Sequence, residues 1–271
     1  MQILDLVQHL ETKDPKVRSA AILELQLNGT EEILDRVLLL GKHGNYKARE
    51  AAAAVLGFME ITDRTKLREV VVLLAVLAFD DGSIRVRRSA LSALGGRYAH
   101  SPLHRRYILS LLADAVQDPE ATIRLSASEA LSNVLNKKAI PLIETLLDDP
   151  DEGVLDWTAF YLQFTKLDSE GIRKRLVGML DRSDGDARRE AIYALARLKD
   201  RRVTPALHAE LSKEFIRFRM LEAAGDLGDP TLLCVLKDIK VSFAGDRESE
   251  GIADKQYQRL KRKARGALDS K

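Results

Sequence analysis

Apolar residues recur along most of this chain at helical spacing, and the pattern repeats at intervals of about 30–38 residues. One unit reads Asp14-Pro15-Lys16-Val17-Arg18, then Ala21 and Leu25. The same order returns as Asn45, Ala48-Arg49, Ala52 and Leu56; as Asp81, Val86-Arg87, Ala90 and Leu94; and as Asp118-Pro119, Ile123-Arg124, Ala127 and Leu131. It continues as Asp149-Pro150, Val154-Leu155 and Thr158; as Asp184-Gly185, Ala187-Arg188, Ala191 and Leu195; and as Ile216-Arg217, Met220 and Ala224. Each unit therefore carries a marker arginine at 18, 49, 87, 124, 188 or 217, with Leu155 in the remaining slot.

Helix physics accounts for the pattern. The Asp or Asn, often followed by Pro or Gly, should accept orphan amide protons at a new helix N-terminus. The apolar residue, the small Ala and the Leu fall on one face, and Ala lets a neighbouring helix come close. The marker arginine is placed to reach the capping acid or carbonyls of the next unit. A second amphipathic helix precedes each capping turn, for example around Ile108 to Leu112 and Ile140 to Leu147. Neither helix can bury its stripe alone, so units must stack. The expectation is an all-α, right-handed superhelix of about seven helical pairs over residues 1–252, with a basic capping helix over 253–271 and a loop over 244–251.

The pattern Asp-Pro-x-x-Val-Arg-x-x-Ala-x-x-x-Leu-Gly resembles HEAT repeats, in particular the short bacterial kind first named from phycobilisome lyases. Residues 187–198 followed by Val203-Thr204-Pro205-Ala206-Leu207 fit it closely. A narrower resemblance rests on residues 156–160 (Asp-Trp-Thr-Ala-Phe), 172–173, 179–180, 188–192, 199–203 and 222–233, and more faintly on residues 19–23 and 45–49. These stretches are similar to enterobacterial HEAT-repeat proteins encoded beside Rhs-type polymorphic toxins and regarded as their immunity proteins. That resemblance implies a cytoplasmic protein that binds and neutralises a cognate toxin domain without cofactor or turnover, and is monomeric when unbound.

Composition narrows the classes. The chain is 45% hydrophobic, 31% charged and only 5% aromatic, which excludes disorder and argues against a β-sandwich or barrel. The longest apolar run, Val70 to Phe79, suits a buried helix and is too short to span a bilayer. Formal charge is +2, but residues 253–271 carry +5 and leave the first 252 at −3. A dedicated nucleic-acid binder would be basic along one face instead.

Catalytic constellations are thin. Gly41-Lys42-His43-Gly44 lacks the phosphate-loop spacing, and Pro102 interrupts the helical spacing of His100 and His104, which read as a loop and no metal pair. Cys234, in an apolar helix, reads as a buried thiol. A bilin-lyase-like or DNA-glycosylase-like enzyme is the less favoured reading, and a general scaffold the nearer alternative.

The surface opposite the buried stripe carries more information. One, five and about nine residues past each marker lie Ser19 and Leu23; Glu50, Ala54 and Phe58; Arg88 and Ser92; Leu125, Glu129 and Asn133; Asp156, Phe160 and Phe164; Arg189, Tyr193 and Arg197; Phe218, Glu222 and Asp226. Four of the seven phenylalanines fall on this stripe. Mixed aromatic, arginine and acidic character suits a protein-binding surface. Phe160, Tyr193 and Phe218 are expected to form its patch. Trp157, at the flank, is expected to pack partly into the core, and Phe58 and Phe164 can alternatively plug the ends of their helices. The acids Asp148, Asp149, Asp151, Glu152 and Asp156 are expected to cap a helix, with surplus charge to steer a basic partner.

Overall fold

A computed structural model describes residues 3–182, 185–213, 216–242 and 258. It divides into two compact units, residues 1–146 and 147–271. Every regular element among the described residues is helical. The first unit contains α1 (Ile3–His9), α2 (Pro15–Asn28), α3 (Glu31–His43), α4 (Tyr46–Phe58), α5 (Arg64–Phe79), α6 (Ile84–His100), α7 (Arg105–Val116), α8 (Ala121–Ser132) and α9 (Ile140–Leu146). The second contains α10 (Glu152–Leu162), α11 (Glu170–Met179), α12 (Asp186–Arg197), α13 (Thr204–Leu211), α14 (Phe218–Leu227) and α15 (Leu233–Ser242).

The even-numbered helices from α2 to α14 are those that the marker pattern predicts. In the first unit α2, α4, α6 and α8 stack successively, and in the second α10, α12 and α14 do so. Their alanines, among them Ala52, Ala90, Ala127 and Ala191, are fully buried. Close approach is taken furthest at the glycines. A Cβ on Gly57 would lie 2.7 Å from Ala93 Cα, and one on Gly95 would lie 2.5 Å from Ala130 O. The expected basic C-terminal helix, apart from the helical and exposed Gln258, the 244–251 loop and the Asp184 cap lie outside the described residues.

The capping acids divide into two kinds. Asp14 and Asn45 cap directly, accepting from Lys16 N at 2.9 Å and Lys47 N at 3.0 Å. Asp81 and Asp118 stand further upstream, where Ser83 and Glu120 hold the capping position. They tighten the turn by accepting from Ser83 N at 2.8 Å and Glu120 N at 2.9 Å. Their other oxygen then receives the preceding unit's marker arginine: Arg49 Nε to Asp81 Oδ2 at 2.6 Å, Arg87 Nη2 to Asp118 Oδ2 at 2.7 Å. Burial alone would raise the Asp81 carboxyl, but Arg49 and the Ser83 amide outweigh it and hold it below the usual range. The carbonyls that the arginines reach belong to their own unit, not the next: Gly44 O for Arg49 at 2.8 Å and Ala78 O for Arg87 at 3.2 Å. Each marker arginine of this kind thus ties its own turn to the following one.

One arginine departs from the pattern. Arg97, late in α6, is 1% exposed, and its Nε donates to Gly57 O at 2.8 Å while Nη2 donates to Met59 O. It satisfies carbonyls at the C-terminal end of α4, where the helix dipole favours a cation. Burial nevertheless pushes its pKa down to about 10.

Two sequence readings are corrected here. Cys234 is exposed, its thiol donating to Thr231 O at 3.3 Å. Leu232, Val235 and Leu236 occupy the inward face of this segment, which leaves position 234 outside. The apolar run of α5 is mostly buried, but Val72 and Val76 remain about half exposed, each 48%.

Candidate protein-binding grooves

Each unit bears an open groove over its stacked even-numbered helices. In the first unit it holds about 350 Å³ and is lined mainly by polar side chains of α4, α6 and α8. Glu50, Phe58, Arg88 and Glu129 from the predicted stripe line it; Leu125 is half-buried and does not. Phe58, 41% exposed, is its aromatic wall, and a Cβ on Gly96 would meet that ring at 2.8 Å. The floor is hydroxyl-rich. Ser92 Oγ donates to Glu129 at 3.1 Å, Arg88 Nε donates to Ser126 Oγ at 3.2 Å, and Ser89 Oγ donates to Glu50 O at 2.9 Å. Arg85 pairs with Glu50 at 3.5 Å.

The second unit's groove, about 370 Å³, is aromatic. Phe160 of α10, Phe164 in the turn that follows it, Tyr193 and Arg197 of α12, and Glu222 and Asp226 of α14 line it. Phe164 is 64% exposed and meets Phe160 edge-on, with centroids 5.1 Å apart. Trp157 meets Phe160 edge-on at 5.3 Å and leans on Tyr161 at 5.6 Å. The tryptophan is therefore packed against its own helix, not inserted into the core, and keeps 43% of its surface exposed.

Beneath the rings lies a polar network that the sequence reading missed. Arg219 donates to Glu190 Oε1 at 2.9 Å and to Gln163 Oε1 at 2.7 Å, and Gln163 donates to Glu190 Oε2 at 2.6 Å. The Arg219 guanidinium stacks over Tyr193, 4.0 Å from the ring centre, with Phe160 at 5.8 Å. This cover explains why Tyr193, expected on the exposed stripe, is only 5% exposed. Burial raises its phenol above the ordinary value. A signal for the network exists in the repeat. Positions two past the marker are polar in four of the seven units, Ser89, Ser126, Glu190 and Arg219, and are Ala20, Ala51 and Trp157 in the others.

The remaining predicted residues fall outside the aromatic groove. Arg189 pairs with Asp186, and Asp156 lines a separate hollow with Glu152, Arg182 and Asp186. Burial, then the nearby Glu190 and Asp186 carboxylates, push Asp156 up to about 6 against the partial opposition of Arg189. The Phe218 side chain lies outside the described residues. Of the neighbouring acids, Asp151 caps α10 by accepting from Val154 N at 3.0 Å, Asp149 accepts from Asp151 N at 2.9 Å, and Asp148 and Glu152 pair with Arg175 and Arg182. His100 ends α6 and His104 sits in the 3₁₀ turn Pro102–His104, so no single helix carries both.

Known proteins match this architecture. Residues 70–163 match HEAT repeats, and residues 187–213 match the PBS lyase HEAT-like repeat. Protein YibA of Escherichia coli strain K12 is 31% identical over 239 residues, covering 88% of this chain and 85% of its own. This chain belongs to the YibA family. The X-ray structure of E. coli YibA superposes with a TM-score of 0.75 at 29% identity, covering 97% of this chain and 93% of that one. Importin beta, at 14% identity and a TM-score of 0.53, covers 94% of this chain with 39% of its own length and shares the fold alone. The YibA family and this chain are therefore all-α HEAT-repeat solenoids. No described helix is long and apolar enough to cross a membrane.

Proposed function

We propose that this protein is a non-enzymatic, protein-binding solenoid whose grooves hold a partner, and that this partner is a toxin domain neutralised in the cytoplasm. The observation that carries the protein-binding part is the aromatic groove of the second unit. Phe164 and Trp157 expose large apolar area beside a preorganised arginine network, a composition typical of energetic anchors at interfaces. Both grooves mix acidic and basic side chains, which does not suit phosphate recognition.

The immunity part is supported by where the narrower resemblance falls. Three of its stretches, 156–160, 188–192 and 222–233, supply Phe160, Glu190, Glu222 and Asp226, all in or under the aromatic groove, while 172–173, 179–180 and 199–203 lie outside it. An adaptor for another cytoplasmic protein would use the same groove. Co-expression with a Rhs-type toxin domain from the same genome separates the two. Restored growth and one-to-one capture, both lost in a Phe160→Ala/Phe164→Ala variant that stays folded, are the expected results. Capture of no toxin and no rescue would leave only the adaptor reading.

A further inference from the structure

The turns that lead into α7 and α9 share one edge of the first unit. Both helices pack on α8 and on each other, and a short turn joins each of them to it, so their N-terminal ends lie side by side. Leu103, in the 3₁₀ turn Pro102–His104, is 66% exposed, and Leu135, just before the 3₁₀ turn Lys137–Ala139, is 69% exposed. Tyr107, in the first turn of α7, is exposed as well. Leucines two-thirds exposed at the tips of turns project from the surface and line no groove.

The charge on this edge has one sign. Arg105 and Arg106 open α7, and Lys137 and Lys138 lie in the turn before α9; all four are exposed. No acid occurs at 82–113 or at 130–143. The nearest acids are otherwise placed. Glu129 lines the groove, and Glu144 already has a partner. The turn before α5 is mixed, with Glu60 and Asp63 against Arg64 and Lys66, and so offsets nothing. Arg106, Lys137 and Lys138 form no ion pair with a described residue. Arg105 is bound only to the neutral carbonyls of Tyr98 and Ala99, at 2.9 and 3.0 Å, and keeps its charge. The arginines also stand against the helix dipole. An N-terminus favours acids, as α3, α10, α11 and α12 show, whereas the first turn of α7 has none. A local rule broken without compensation marks a position kept for something other than stability.

We propose that this edge attaches the protein reversibly to an anionic lipid surface. Leu103 and Leu135 would enter the boundary between headgroups and chains, with Tyr107 at headgroup level, while the four cations rest against lipid phosphates. A lipid surface takes both kinds of side chain at once. Nucleic acid would match the cations but leave the leucines in water. None of these residues lines either groove, so attachment leaves both open to a protein partner.

The test is co-sedimentation of the full-length protein with vesicles of phosphatidylcholine alone and of phosphatidylcholine with about one-third phosphatidylglycerol. Binding to the anionic vesicles only, weakening as salt rises, is the expected result. Lys137→Glu/Lys138→Glu should weaken it by about tenfold or more, and Leu103→Ser/Leu135→Ser by about fivefold or more. All four positions are exposed, and unchanged circular dichroism checks that both variants fold. Equal binding to neutral vesicles, or undiminished binding in either variant, would overturn the proposal. So would binding of an acidic Gly-Glu peptide with no binding to vesicles, which would assign the edge to an acidic protein segment instead.

Discussion

The guanidinium of Arg219 lies 4.0 Å from the centre of the Tyr193 ring, and the same group closes a hydrogen-bonded ring with Glu190 and Gln163. Three successive even-numbered helices, α10, α12 and α14, are thereby joined under one groove. Replacing Arg219 by Met leaves Glu190, which is 14% exposed at its side chain, without its cation. The expected cost is about 1–3 kcal/mol in urea unfolding. Arg219→Lys should recover less than half of it, because an ammonium can neither stack flat nor bond two partners in one plane. Full recovery by lysine would show that charge alone matters there.

Arg97 makes a sharper case because no solvent reaches it. Arg97→Met should destabilise the first unit by about 2–4 kcal/mol, since the Gly57 and Met59 carbonyls lose their donors in a buried setting. Guanidinium-chloride unfolding followed by circular dichroism measures this. An unchanged midpoint would mean that water enters and replaces the side chain.

Two glycine substitutions should move stability in opposite directions. Gly95→Ala puts a methyl 2.5 Å from Ala130 O and 2.7 Å from Ala130 Cα, both backbone atoms that cannot turn aside. Helix propensity alone would favour alanine by up to about 1 kcal/mol, but the overlap should reverse that to a loss of about 2–3 kcal/mol. Gly178→Ala in α11 meets nothing within 4 Å and should gain up to about 1 kcal/mol. Melting temperatures of the two variants give the comparison directly.

Asp156 predicts a pH signature. Its carboxyl is raised from 3.8 to about 6 in the folded state, so the native protein holds this proton more tightly than the unfolded chain does. The ionised form is therefore the penalised one. The penalty is absent below about pH 4, grows as pH rises to about 6, and is full above that. Asp156→Asn should stabilise by about 1–2 kcal/mol near pH 8, allowing for solvent screening, and by nothing near pH 4. A pH-independent difference between the two proteins would place the effect elsewhere than in titration.

The repeat was legible because its physics is local. Caps such as Asp14 and Asn45 and the buried alanines announce helices α2 to α14 directly. Periodicity identifies a helix face but not which neighbour occupies the space above it. Tyr193 sits on the face expected for it, yet Arg219 from the next unit lies over its ring. Arg219, Glu190 and Gln163 fall at joints between successive helices, where a polar residue can equally face water or a partner. Arg97 was illegible for a related reason: an arginine in a helix ordinarily reads as surface, and only the crossing of α6 over the end of α4 supplies its carbonyls. Cys234 failed in the opposite sense, because a short apolar stretch hides which of its residues faces outward.

The bonds from Arg49 to Asp81 and from Arg87 to Asp118 each reach the next turn, 32 and 31 residues on, in units that repeat every 38 and 37 residues. A gene segment one repeat long can be duplicated or lost in frame, and each arginine will still find an acid waiting in the next turn. The joints thus impose a ruler on how such a chain lengthens, while the groove positions between them stay free to drift. A lineage could change its partner by substituting a few rings and carboxylates, or extend its reach by whole units, without inventing a new way to hold itself together.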